Sequence, residues 1–402
     1  MITCGICVGT LAEDKARTMQ IYLVGGAVRD ALLGLHIKDR DWVVVGATPE
    51  QMTALGFLPV GKDFPVFLHP TTREEYALAR TERKTARGYR GFAISSSPDV
   101  TLEQDLSRRD LTVNAIAVAA DCLRSDLSFD PQDLIDPHQG LQDVANKVLR
   151  HVTLAFCEDP VRILRVARLA ARFSDFSVAT ETQQLMVEMV RQGEADHLVA
   201  ERVWQELSRG LMEARPSRML AVLVDCGALV KLLPRLDPSP SLLRAIDLAA
   251  QLLAPLPVRY ACLFHVKMES DMKAQRVPVE CSELAALLER EQNRIDRSAE
   301  MGAPELLQLL EASDAIRKPQ RFTQLLLACQ CLAQSLPGGE HSPYPQRGRL
   351  QTALSAVLEL NSASISAAAL AAGASGIEVG ALIRTARLES LTCHLARSDP
   401  SV

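Results

Sequence analysis

Lys38-Asp39-Arg40-Asp41-Trp42-Val43-Val44-Val45 is the stretch whose reading decides the fold. Trp42 and the three valines read as a buried strand, continuing to Gly46. Residues two apart on an extended chain share a face, so Asp39 and Asp41 project together, about 6.5–7 Å apart at Cα. Two carboxylates so placed can bind one or two Mg²⁺ ions and clamp both oxygens of a phosphoryl or nucleotidyl transfer. A D-x-D alone is weak, since most such pairs are solvated strand ends.

A second feature lies just upstream, in Leu23-Val24-Gly25-Gly26-Ala27-Val28-Arg29-Asp30. Tyr22 to Val24 is a short apolar run, the glycine pair punctuates it, and Ala27 to Leu33 has helical spacing. A strand–Gly-Gly–helix unit exposes backbone N–H groups at a helix N-terminus, where a triphosphate can sit. Arg29, one turn in, can add a charge-assisted contact. A glycine pair by itself is usually an ordinary tight turn; beside the D-x-D it is far less so.

The chain has 402 residues, enough for two or three domains, and a formal charge of −5. Bulk charge therefore announces no nucleic-acid partner, and any RNA contact must come from local basic patches. Ten cysteines are scattered, with Cys4-x-x-Cys7 the only C-x-x-C spacing, which reads as reduced thiols of a cytosolic chain without a zinc site. No apolar run reaches about 18 residues, so no membrane span is expected. Residues 1–18 do not look like a signal peptide and read as a disordered leader or an upstream-start artefact ahead of the first strand.

Residues 19–155 alternate strand-like and helix-like segments, an α+β or α/β pattern. Candidate strands are Ile21–Val24, Trp42–Gly46, Val66–Leu68, Glu75–Arg80 and a run near Asn114–Ala119. The basic, glycine-containing stretch 80–91 fits a mobile loop over a polyanion as well as it fits a solvated loop. From about residue 156 the pattern is helical. Val203, Leu207 and Leu211 stand at i, i+4, i+8 of a helix over roughly 201–213. Arg235–Pro240 and Pro337–Arg349 read as loops, and Ser362–Gly376 as small-residue helix with loop.

Two further segments carry chemistry. In Arg108-Arg109-Asp110-Leu111-Thr112-Val113-Asn114-Ala115, after Asp105, adjacent arginines should point to different faces, so one at most reaches a ligand. Asp110 and Asn114 can cap or brace the site. In Glu158-Asp159-Pro160-Val161-Arg162-Ile163-Leu164-Arg165, proline opens a helix and Asp159, Arg162 and Arg165, three apart, share a face. A carboxylate accepts and a guanidinium donates, so the pair fits the amino donor and ring-nitrogen acceptor of cytosine or adenine. Guanine and uracil present the reverse order and would leave buried groups unpaired. Alone, the segment also reads as a salt bridge on a solvated helix.

Together and in this order, the segments resemble the signatures of class II tRNA nucleotidyltransferases, the CCA-adding enzymes. The stretch Phe64-Pro-Val-Phe-Leu-His69-Pro and Glu75 to Lys84 is similar to the bacterial branch, and Val379 to Arg387 is a weaker echo of the family's tail. The resemblance covers roughly 19–235. It implies a polymerase-β-like head (19–155), a helical neck carrying the base template (156–235) and a helical body and tail (236–402). It implies that Asp39 and Asp41 hold Mg²⁺, with Glu75 a candidate third carboxylate. It implies that Gly26, Arg29 and Arg109 contact triphosphate and sugar, and that Asp159 and Arg162, with Arg165 nearby, template the base. The implied partners are ATP, CTP and a tRNA lacking its 3′ CCA, in the cytoplasm, with no membrane and no obligate protein partner.

One departure is visible. Longer bacterial members carry a metal-dependent His-Asp phosphohydrolase domain after the neck. Where that pair might fall this chain reads Leu263-Phe264-His265-Val266-Lys267-Met268, and His341 and His394 are isolated, so no phosphohydrolase activity is expected. The alternatives are a bacterial poly(A) polymerase, which shares the glycine pair and D-x-D, and a catalytically silent RNA-binding protein.

Overall fold

The computed structural model of the protein describes residues 19–60, 65–84, 92–264, 276–339 and 342–398. The leader 1–18, Phe64, positions 85–91 of the basic stretch, the segment starting at His265, and His341 lie outside the described residues.

Two compact units are present, residues 1–162 with 176–197 and residues 163–175 with 198–402. The first contains one seven-stranded sheet. Its strands are β1 (Gln20–Val24), β2 (Asp41–Val45), β3 (Leu58–Val60), β4 (Val66–Leu68), β5 (Glu75–Leu78), and two further strands noted below. A separate hairpin joins β6 (Thr81–Lys84) to β7 (Phe92–Ser95). The large sheet is completed by β8 (Ala117–Ala119) and β9 (Leu134–Ile135), in the order β3-β4-β5-β2-β1-β8-β9. Every neighbouring pair is antiparallel except β2 with β5, which is parallel.

Short helices close the connections. The first, α1 (Gly26–Leu32), follows β1 directly. Capping boxes start α2 (Pro49–Ala54), through Thr48 and Gln51, and α3 (Leu102–Ser107), through Thr101 and Gln104. Each box satisfies two backbone donors that a helix start leaves orphaned. One face of the sheet buries Tyr22, Val24, Val43 and Ala117 against Leu102 and Leu106 of α3. That packing seats α3 over the face from which Val43 projects.

Two strand expectations change in detail. The run Glu75–Arg80 is not one strand: β5 ends at Leu78, the Ala79 N–H bonds Val44 O at 2.8 Å, and the Arg80 N–H turns to Asp105. Nor does a strand begin at Asn114. Thr112–Asn114 is a 3₁₀ turn before β8, wedged under α4 (Gly140–Asn146), where a Cβ on Gly140 would lie 2.2 Å from Thr112 O. The first unit also reaches past residue 155. Its β10 (Val148–Leu149) pairs in parallel with β11 (Ser177–Val178), and α5 (Val161–Arg172) is left to the second unit from Ile163 on.

The second unit is helical. Val203, Leu207 and Leu211 are 6%, 1% and 0% exposed on the helix Ala200–Leu211, the burial that the four-residue spacing requires. Leu256–Leu263 packs on Val279–Asp296, and Pro240–Gln251 on Pro319–Ser335. Among the described residues, the segment Pro345–Ala371 is long and apolar enough by composition to cross a membrane. It is two helices, Pro345–Leu358 and Ser362–Ala371, of 14 and 10 residues, each shorter than the ~20 a span needs.

Candidate active site

Strand register brings the two leading motifs together. Val24, the last residue of β1, pairs with Asp41, the first of β2, so the glycine turn leaves the sheet beside the D-x-D. Asp41 also pairs with Glu75 on β5. On the far face, Glu74 takes the Arg40 guanidinium at 2.6 Å and the Trp42 indole N–H at 2.9 Å. Arg40 and Trp42 therefore turn the same way, and the alternation of extended chain turns exposed Asp39 and Asp41 the other way. Glu75 has the strand position expected of a third carboxylate. Even so, no group of three or more His, Cys, Asp or Glu among the described residues gathers closely enough to hold a metal.

Gly25 has φ 71° and ψ −127°, a combination that side chains avoid, and its N–H bonds Ile116 O at 3.1 Å. A Cβ there would also stand 3.0 Å from Arg109 Nη1. Gly25→Ala should therefore destabilise the fold by about 1–3 kcal/mol and weaken nucleotide binding. Urea melts and nucleotide titrations check both, and an unchanged midpoint with unchanged affinity would contradict the strain.

Gly26 opens α1 above Arg29, whose Nη2 would lie 3.4 Å from a Cβ on Gly26. The Arg29 side chain is buried, 4% exposed. Its Nε and Nη2 donate to Asp30 at 3.0 and 2.8 Å, and its Nη1 donates to Asn114 Oδ1. The Asn114 amide in turn donates to Asp110 at 3.0 Å. The buried Arg29 guanidinium is thus tied to Asp30 and Asn114 beneath the turn. Asp110 and Asn114 do brace the site.

The adjacent arginines also differ from expectation: both reach Asp105. On a helix, i+3 and i+4 are both neighbours of i. Arg108 Nε and Nη2 donate to Asp105 Oδ1 at 3.2 and 2.9 Å, and Arg109 Nη2 donates to Oδ2 at 3.2 Å. Arg109 continues to the glycine turn, where its Nη1 lies beside Gly25. Burial pushes the Asp105 carboxyl up, but the two guanidiniums more than offset it and hold it below the usual carboxylate range. Its stabilisation is complete above the unfolded value, near pH 4, and is lost as pH falls through the folded one. Asp105→Asn should flatten acid unfolding below about pH 4, followed by circular dichroism; an unchanged acid limb would contradict the pairing.

The segment Glu158–Arg165 opens α5. Asp159 precedes the helix, with extended φ −120° and ψ 106°, and its Oδ1 accepts the Val161 N–H at 3.1 Å. It caps the start of α5, and its carbonyl accepts the Arg162 N–H at 3.0 Å. Proline disfavours helical backbone in the residue before it, and Pro160 imposes that on Asp159. Arg162, 7% exposed, donates from Nη1 to Ala155 O at 2.7 Å and from Nη2 to Arg108 O at 2.6 Å. Arg165 is half-buried and belongs to the second unit. Asp105 and Glu74 are the organisers that the sequence reading missed; the spacing Asp105–Arg108–Arg109 carries the signal for the first.

The family described as "Poly A polymerase head domain" matches residues 21–150, and that described as "Probable RNA and SrmB- binding site of polymerase A" matches 175–239. A "Multifunctional CCA protein" of Acidovorax ebreus (strain TPSY) is 54% identical, covering 95% of this chain and 98% of its own. The chain belongs to the CCA-adding tRNA nucleotidyltransferase family. A "Multifunctional CCA protein" of Leptothrix cholodnii is 49% identical over 95% of the chain and 98% of its own. A solved "Thermotoga maritima CCA-adding enzyme complexed with tRNA_CCA" has the same fold, with a TM-score of 0.66 at 21% identity. It covers 93% of this chain and 88% of its own. The expected α+β nucleotidyltransferase fold is thus present, and the chain is an enzyme of this CCA-adding family, a class that depends on divalent metal.

Proposed function

We propose that this enzyme adds C, C and A stepwise, from CTP and ATP, to the 3′ end of a tRNA lacking CCA, releasing pyrophosphate. The observation that carries the reading is the Val24–Asp41 pairing, which sets the D-x-D beside the glycine turn in a chain this similar to CCA proteins. The cytoplasm is its proposed location.

Asp39 and Asp41 fit Mg²⁺. They are exposed hard oxygen donors, and Mg²⁺ is usually held by one or two carboxylates with phosphate oxygens and water rather than by an all-protein cage. The absence of a three-ligand cluster among the described residues suits that mode. When bound, the ion supplies charge neutralisation at the α-phosphate and at the leaving pyrophosphate.

The protein's own residues do the rest. Gly25 and Gly26 let the phosphates approach the backbone, and Arg109 presents its guanidinium at the turn. Arg29 holds the turn from below through Asp30 and Asn114. Asp159 and Arg162, with Arg165 one turn further along α5, read the pairing edge of C or A. The tRNA 3′-hydroxyl attacks the α-phosphate in line. Residues 19–155 serve as head, 156–235 as neck and 236–402 as body and tail.

The absence of an adjacent His-Asp pair supports a chain without phosphohydrolase activity. The Acidovorax alignment spans 423 positions, more than the 402 residues here, so that relative carries sequence this chain lacks.

The test is to incubate the protein with Mg²⁺, labelled CTP and ATP, and a tRNA transcript ending before CCA, resolving products to one nucleotide. Addition of C, C and A followed by a halt is expected. A long A tail would move the assignment to poly(A) polymerase, and no addition would leave an RNA-binding protein.

A further inference from the structure

Asp105 is fully buried, 0% exposed, yet it fills no apolar role. A buried carboxylate is tolerated only when it is paired and hydrogen-bonded. This one accepts the Arg80 backbone N–H at 3.3 Å, two N–H groups of Arg108 and one of Arg109. Two guanidiniums share one carboxylate, and they are held differently. Arg108 is held through both Nε and Nη2, and its carbonyl is taken by Arg162. Arg109 is held through Nη2 alone. Its Nε is buried and has no hydrogen-bond partner among the described residues, and its Nη1 lies beside Gly25.

We propose that Asp105 is the positioning residue that aims Arg109 at the glycine turn and so sets the affinity for the incoming nucleotide. This rests on the nucleotidyltransferase reading above. The carboxylate holds the Arg109 guanidinium at the turn in a fixed orientation. A preorganised cation needs no ordering when the triphosphate arrives, and that saving is realised as affinity. The same carboxylate holds the root of the β6–β7 hairpin through the Arg80 N–H, so turn, arginine and hairpin root share one anchor.

Asp105→Asn keeps the shape and removes the charge. Its KM for both CTP and ATP should rise roughly tenfold, with kcat and the KM for tRNA within about threefold of the parent. A merely structural role would lower the active fraction, and hence the apparent kcat, while leaving KM alone. In an Arg109→Ala background, which itself raises KM, Asp105→Asn should add nothing further. An unchanged KM, or a full second tenfold on Arg109→Ala, overturns the proposal. Arg108→Gln, which spares the Asp105–Arg109 pair, should keep KM within about twofold. A tenfold rise there overturns it as well, and this arm stands even if Asp105→Asn does not fold. Calorimetric titration of CTP runs alongside. A parent that binds CTP but adds nothing defeats the transfer reading alone, and Kd then replaces KM in every comparison. A parent that binds no CTP defeats both.

Discussion

Asp39→Asn and Asp41→Asn should each lower single-turnover C addition by at least ~10³-fold, about 4 kcal/mol of transition-state stabilisation, without changing the melting temperature. The asparagine keeps the side-chain shape. Both residues are exposed, and among the described residues no ion pair or hydrogen bond ties either carboxylate into the fold. What is lost is negative charge at the proposed Mg²⁺ site, which the two carboxylates would form. Nothing nearby replaces it: Glu75 stands beside Asp41 in the sheet but completes no three-ligand group among the described residues. Raising Mg²⁺ should recover little of the rate. Activity within tenfold of the parent would move the metal site elsewhere.

Asp159→Ala should loosen nucleotide choice more than it slows chemistry. A site built to pair a specific edge rejects the wrong base because its own buried groups go unpaired, and discrimination of that kind commonly exceeds a hundredfold. Removing the acceptor side should cut the preference for CTP over UTP by roughly tenfold or more, while C addition itself falls by less. The structure adds a second consequence. Asp159 caps α5 through the Val161 N–H, so the same change should cost about 1 kcal/mol of stability. Asp159→Asn, which retains a cap and an amide, separates the two: it should restore the melting temperature but not the selectivity. Unchanged C-over-U selectivity in single-turnover competition would remove Asp159 from base reading.

How far the site was legible depends on how local each contact is. The strand at Trp42, the strand–glycine–helix unit at Gly25 and the buried stripe Val203–Leu207–Leu211 follow from periodicity and turn chemistry, and each stands where expected. That Asp159 precedes the α5 helix is local as well, since Pro160 holds the residue before it extended. The burial of Arg29 was not legible at all. Its exposure depends on Asn114, 85 positions away, which only folding delivers to its guanidinium. The same is true of Glu74, whose contacts with Arg40 and Trp42 decide which way the carboxylates turn.

The sequence by itself determined the residue types and their order: carboxylates two apart before an apolar strand, a glycine pair between strand and helix, and the arginine segments. Side-chain alternation and backbone freedom are properties of a few consecutive residues, so they can be read without the fold. Only the tertiary structure decided which of these groups meet. The antiparallel register of β1 and β2 sets Asp41 beside Val24 and hence beside the glycine turn. The burial of Asp105 between Arg108, Arg109 and the Arg80 N–H decides which arginine faces that turn. Those outcomes depend on sheet pairing and on the desolvation of charge, both set by segments distant in the chain, and no local pattern encodes them.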